Sequence, residues 1–135
     1  TTSSGTCQAG LLVLGQNSSQ TSAQILTSAP NVLSTHQLKL EQDSAVAFTI
    51  TVVGKGYNNN GLFCMKIEGL VDKTGTADAA LVGTPVKTLI AANSDGEDWD
   101  VEIDCYGDNL RVKSVQDVAT YTRWTAKIET TEVGF

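Results

Sequence analysis

Apolar and polar residues alternate one for one over long parts of this chain, the period at which a β-strand sends successive side chains to opposite faces. The sharpest instance is Asp98-Trp99-Asp100-Val101-Glu102-Ile103-Asp104, with Trp99, Val101 and Ile103 on one face and four carboxylates on the other. A helix would scatter both sets around its axis. The pattern predicts a strand of an antiparallel sheet with one face in the core and one in water. Val46, Phe48, Ile50 and Val52, set against Ala47, Thr49, Thr51 and Val53, predict a second strand rich in β-branched residues. Residues 62–72 return from it with Phe63, Met65 and Ile67 inward and Lys66 and Glu68 outward. Gly69 interrupts them, which predicts a bulge or a close backbone approach.

Shorter strands are predicted over residues 10–15, 23–27, 38–40, 86–91 and 110–113, and over 77–82, where one helical turn is the alternative to the strand that the following Gly83-Thr84-Pro85 favours. In a last, long strand Trp124, Ala126 and Ile128 face in, and Arg123, Thr125, Lys127 and Glu129 face out. Turn residues separate these segments: Ser28-Ala29-Pro30-Asn31, Asn60-Gly61, Asn93-Ser94-Asp95-Gly96 and Gly107-Asp108-Asn109. Strands that recur roughly every ten residues are the signature of a β-sandwich or barrel; the fold class expected is all-β, an antiparallel β-sandwich of jelly-roll-like kind. Trp99 and Trp124 share the inward phase and are expected to anchor the core, each indole N–H finding a carbonyl or side-chain partner. Arg111, Lys113, Arg123 and Lys127 are expected opposite Asp100, Glu102 and Asp104 as cross-strand ion pairs. Ala47, Val53, Leu62 and Leu70 lie out of phase with the core. Either a second layer of the same subunit covers them or another copy of the chain does.

At 135 residues the chain is long enough for one domain with a sizeable core. Residues 1–7 read as a linker or the remnant of a longer chain, and residues 8–135 as a single β-sandwich domain. The net charge of -6 and the lack of a basic cluster argue against nucleic acid as a partner. Apolar runs such as Leu11-Leu12-Val13-Leu14 are strand-sized, far short of the roughly 20 residues of a membrane span, so no membrane insertion is expected. Cys7, Cys64 and Cys105 form no C-x-x-C pair, so three free thiols and assembly in a reducing cytoplasm are expected.

Candidate chemistry is sparse. The sole histidine, His36, stands in a polar stretch with no Gly-x-Ser-x-Gly elbow anywhere in the chain. Asp95, Glu97 and Asp98 offer oxygens for calcium but miss the EF-hand spacing. Asp100, Glu102 and Asp104 read as a wet sheet face rather than a glycosidase carboxylate pair. No catalytic residue, cofactor or metal site is therefore assigned, and the chain is not expected to be an enzyme. The best binding candidate is the loop Tyr57-Asn58-Asn59-Asn60, where an aromatic ring can stack on a sugar and amides can bond its hydroxyls; the same residues also suit a plain hairpin tip.

Several segments in order carry a resemblance. They are Ala23-Gln24-Ile25-Leu26-Thr27, Asp43 to Gly54, Phe63-Cys64-Met65-Lys66-Ile67-Glu68-Gly69, Leu81-Val82-Gly83-Thr84-Pro85-Val86, Trp99-Asp100-Val101, Leu110-Arg111-Val112, and Thr122-Arg123-Trp124-Thr125-Ala126 running to Thr131-Glu132-Val133. Over residues 8–133 the chain resembles the C-terminal β-domain of tail-fibre, tailspike and related virion structural proteins of tailed bacteriophages. Phe48, Phe63, Trp99, Val101, Arg123 and Trp124 are its core and signature positions. The resemblance implies a homotrimeric module of the virion tail appendage, assembled in the host cytoplasm, that helps the trimer fold and touches a host cell-surface polysaccharide. The alternative is a stand-alone carbohydrate-binding module without catalytic activity.

Overall fold

The computed structural model describes residues 7–26, 38–57 and 60–135. The linker reading of residues 1–6, His36, the Pro30 turn, Asn58 and Asn59 lie outside the described residues, as does the side chain of Cys7. Among the described residues ten strands follow in order: β1 (Cys7–Ser18), β2 (Gln24–Ile25), β3 (Leu38–Lys39), β4 (Ser44–Gly56), β5 (Leu62–Lys73), β6 (Ala80–Leu81), β7 (Val86–Ala92), β8 (Asp100–Tyr106), β9 (Asn109–Val115) and β10 (Thr122–Gly134). All pairings are antiparallel. The fold is an all-β sandwich, as the alternation predicts.

The two sheets differ in width. The larger runs β1-β10-β4-β5, with β6 and β7 sharing the far edge of β5. The smaller is β8-β9, with β2 and β3 sharing the other edge of β9. Between them lie Leu14, Phe48, Ile50, Val52, Phe63, Ile67, Val71, Trp124, Ala126 and Ile128 of the larger sheet, against Trp99, Val101, Leu110, Val112, Leu26 and Leu40 of the smaller side. Trp124 is the hub. Its ring lies 5.3 Å from Trp99 and 5.7 Å from Phe63 between centroids, in tilted and edge-to-face geometry.

Two glycines make room for these rings. A side-chain carbon on Gly54 would stand 2.8 Å from the Trp124 ring, and one on Gly69 would stand 2.7 Å from Phe48. Gly69 is thus the close approach, not the bulge: its register with Phe48 is unbroken, and the irregularity lies instead between β5 and β7 at Cys64/Met65.

Three expectations need correction. The acidic strand starts at Asp100, because residues 94–98 form turns that place Asp98 in a loop. Trp99 is still buried, held by its N–H donating to the Gly96 carbonyl at 3.1 Å. Ion pairing on the smaller sheet uses Arg111, bidentate to Asp104 at 2.7 and 2.9 Å, and Lys113, at 2.8 Å from Asp104 and 3.8 Å from Glu102. Arg123 and Lys127 take no part, since β10 belongs to the other sheet; Lys127 pairs with Glu129 at 3.3 Å, and Asp100 pairs with Lys87 at 2.8 Å. The predicted strand over 77–82 shrinks to Ala80–Leu81, because a turn in which the Ala77 N–H donates to the Thr74 carbonyl at 3.1 Å precedes it and Gly83 adopts a φ of 70° two residues after it.

The layers are tied at one end by Lys73 of β5. Its ammonium is buried, contacts Asp108 at 2.8 Å and donates to the Ala77 carbonyl at 2.7 Å. Asp108 sits beside Gly107, whose φ of 57° forms the β8–β9 turn.

Two outcomes test this packing. Gly54→Ala drives a methyl into the Trp124 ring and should cost about 1–3 kcal/mol in urea unfolding. Hydrogen bonds from Arg111, aided by Lys113, outweigh desolvation and hold the Asp104 carboxyl below its ordinary range. Its contribution is therefore complete at neutral pH and is lost as pH falls below about 4. Asp104→Asn should cost about 1 kcal/mol at pH 7, with the gap from the parent protein closing on acidification.

Candidate functional site

The β4–β5 hairpin ends in the predicted loop. Its neck is closed by the Gly56 N–H donating to the Gly61 carbonyl at 2.9 Å, and Asn60 adopts a φ of 57°, a conformation Asn tolerates better than most residues. Asn93, at the end of β7, fastens the tip to the body. Its amide nitrogen donates to the Asn60 carbonyl at 2.6 Å, and its side-chain oxygen accepts from the N–H groups of Leu62 and Gly96, each at 3.0 Å. Tyr57 is 74% exposed and projects from this fixed neck.

A second loop, residues 116–121 between β9 and β10, meets Tyr57. The Tyr57 N–H donates to the Tyr121 carbonyl at 2.9 Å, and the two rings stand edge to face, 5.9 Å between centroids at 75°. Buried Gln116 organises this loop from within. Its amide nitrogen donates to the carbonyls of Val118 at 3.0 Å and Thr120 at 2.7 Å, while its oxygen accepts from Trp124 Nε1 at 3.2 Å. The neighbouring Asp117 accepts from Trp99 Nε1 at 3.1 Å. Both indoles thus find their polar partners on adjacent residues of one loop.

Lys55, Gly56, Tyr57 and Arg123 line an open cavity of about 400 Å³, within the size range of small-ligand clefts. Lys55 and Arg123 are exposed and directly opposite each other in the β4–β10 ladder. The structure therefore joins Tyr57 to Lys55, Tyr121 and Arg123, none of which the loop motif pointed to as ligand contacts. The signal lay in the pairing of β4 with β10, which places Gly56 beside Thr122.

The other candidates separate. Phe48, Phe63, Trp99, Val101 and Trp124 are core residues, whereas Arg123 faces solvent. Asp95, Glu97 and Asp98 are exposed in the 94–98 turns, and among the described residues no group of three or more His, Cys, Asp or Glu could hold a metal ion. Cys64 and Cys105 are free thiols. Burial, with the Asp104 charge, pushes the Cys105 thiol up and keeps it protonated at neutral pH.

No family model and no curated protein matches the chain. Among solved structures it is similar to two phage tailspike proteins. One is the tailspike protein gp49 of Acinetobacter baumannii bacteriophage Fri1, a capsular polysaccharide depolymerase, at 9% identity and a TM-score of 0.44 over 93% of this chain and 17% of that one. The other is the tailspike protein of Acinetobacter baumannii phage AM24, at 10% identity and a TM-score of 0.45 over 91% of this chain and 26% of that one. The chain thus spans only a small part of either protein.

Gln116→Ala removes the partner of three hydrogen-bonding groups at once. It should destabilise the protein by about 2–4 kcal/mol in urea unfolding and shift the Tyr121 and Trp124 ring resonances together. An unchanged Tyr121 environment would show that the loop is held by other means.

Proposed function

We propose that the chain is a structural domain of a bacteriophage tail fibre or tailspike, non-catalytic in itself, that associates as a homotrimer and turns its hairpin end toward a host-surface glycan. The sequence resemblance supplies the class. The observation that carries the reading is the outer face of the larger sheet. Among the described residues no second layer covers it, and it leaves Leu11 67%, Val13 53%, Val53 48% and Leu62 46% exposed. A monomer has little reason to leave several large apolar side chains of one sheet face in water.

The distribution of these residues favours a closed ring. Leu11 and Val13 lie on the β1 edge, and Val86, Leu89 and Ile90 lie on the β7 edge at the opposite side of the sheet. Between the edges, the ladder sets Glu129, Thr49 and Glu68 in one row and Lys127, Thr51 and Lys66 in the next. Two different apolar edges on one subunit suit a head-to-tail contact, which closes into a ring when the rotation is right.

Orientation follows from the ladders. Cys7 pairs with Val133 and Ser44 with Gly134 at one end, while Ser18 and Gly56 flank Thr122 at the other. The start of β1 and the end of β10 therefore lie at the far end from Tyr57.

The cavity beside Tyr57 favours a second reading, a stand-alone carbohydrate-binding module. Mass in solution separates the two. Light scattering at micromolar concentration should give three chain masses, and Val53→Lys with Leu62→Lys should give a folded monomer. A monomeric parent protein that binds glycan would sink the trimer and favour the module.

A further inference from the structure

Lys55 and Arg123 face each other directly across the β4–β10 ladder. Side chains so placed stand ~5 Å apart at Cβ, and two like charges there repel. The protein avoids this arrangement elsewhere. Lys73, Lys87, Arg111, Lys113 and Lys127 each have a carboxylate within ion-pair distance, and on the smaller sheet Glu102 faces Lys113 and Asp104 faces Arg111. Lys66, another outward cation of the larger sheet, has no ion pair among the described residues but stands between Thr51 and Thr88. Among the described residues neither Lys55 nor Arg123 has an acidic partner, in a chain whose net charge is -6.

The two cations share their cavity with the Tyr57 ring. Tyr121 meets Tyr57 edge to face, which fixes one side of that ring and leaves it 74% exposed. A planar guanidinium grips a carboxylate through two parallel hydrogen bonds, with the ammonium adding a point charge. A polynucleotide fits poorly, because it needs a longer run of free cations: beyond Lys127, which is paired with Glu129, and Lys66, the same sheet face turns acidic at Glu129 and Glu68, in a chain of net charge -6.

We infer that this end of the domain binds a carboxylated sugar, a uronic-acid unit of an acidic polysaccharide, with Arg123 and Lys55 on the carboxylate and Tyr57 against the ring. The inference rests on the glycan-facing reading above and adds the charge of the ligand. It also accounts for a repelling pair that folding alone would select against.

The test is NMR titration of the full chain with D-glucuronate and D-glucose, followed by calorimetry with short oligouronides from polygalacturonate and alginate and with their carboxyl-reduced forms. Glucuronate should shift the Arg123 side-chain N–H and the Tyr57 amide saturably, while glucose should not. Oligouronides should bind at least about tenfold more tightly than their reduced forms, and Arg123→Gln, Lys55→Gln and Tyr57→Ala should each lose about tenfold. Relief of the repulsion should leave the free Arg123→Gln and Lys55→Gln proteins melting at or about 1–3 °C above the parent, so lost binding is not lost folding.

Reduced and acidic sugars binding equally, with Arg123→Gln harmless, would overturn the charge assignment and leave glycan recognition standing. Sulfate alone shifting the same signals, with Tyr57→Ala without effect on oligouronide binding, would reduce the site to a bare anion contact and overturn the sugar assignment. No shift with any of these sugars would overturn both, whatever the mass measured on the same sample.

Discussion

Strand β10 is the constraint on which the molecule depends. It is hydrogen bonded on both sides, to β1 and to β4, along almost its whole length. Its inward residues Trp124, Ala126 and Ile128 form the middle of the core, and Trp124 touches both Trp99 and Phe63. Its outward residues lie on the sheet face that no described residue covers. Because side chains alternate strictly, a slip of one residue would put Trp124 in water and Arg123 in the core. The register that buries the tryptophan is also the register that opposes Arg123 to Lys55 and brings Tyr121 to Tyr57. Core and candidate site are thus fixed by one choice.

Much of the fold could be read from alternation because most strands have one wet and one dry face. Val46 to Val52, Phe63 to Ile67 and Trp124 to Ile128 all signal their inward sides, and each is buried as expected. The signal misled where something other than a strand continued the pattern. Asp98 keeps the phase of the acid row, yet a turn holds it, and Trp99 is buried by a turn hydrogen bond rather than by a ladder. Strand order was not legible. Arg123 and Lys127 could equally have faced Asp100 and Asp104, since period-two alternation says nothing about which strand lies alongside. The tip residue Tyr57 was legible as exposed and aromatic, but its partners Lys55, Tyr121 and Arg123 depended on that order.

The unequal widths of the sheets explain the surface. Leu89 shares the inward phase of Met65 yet is exposed at the edge of the wider sheet, whereas Val86, in register with Glu68, faces outward. An exposed apolar edge strand in a lone subunit invites unwanted pairing. The alternating Glu and Lys rows beside it oppose indiscriminate stacking, since a copy placed in the wrong register would set like charges together. In the trimer proposed above, these rows would select how the copies meet.

The placement of both terminal strand ends opposite the hairpin tip has a mechanical consequence. A load applied at Tyr57 and resisted at Cys7 would run parallel to β4, β10 and β1. Their ladder bonds lie across that direction and would share the load in shear, so many must yield together. The same bonds pulled apart from one end would fail singly. The long antiparallel pairing of β1 with β10 and of β10 with β4 thus makes this a domain that resists being pulled along its strands.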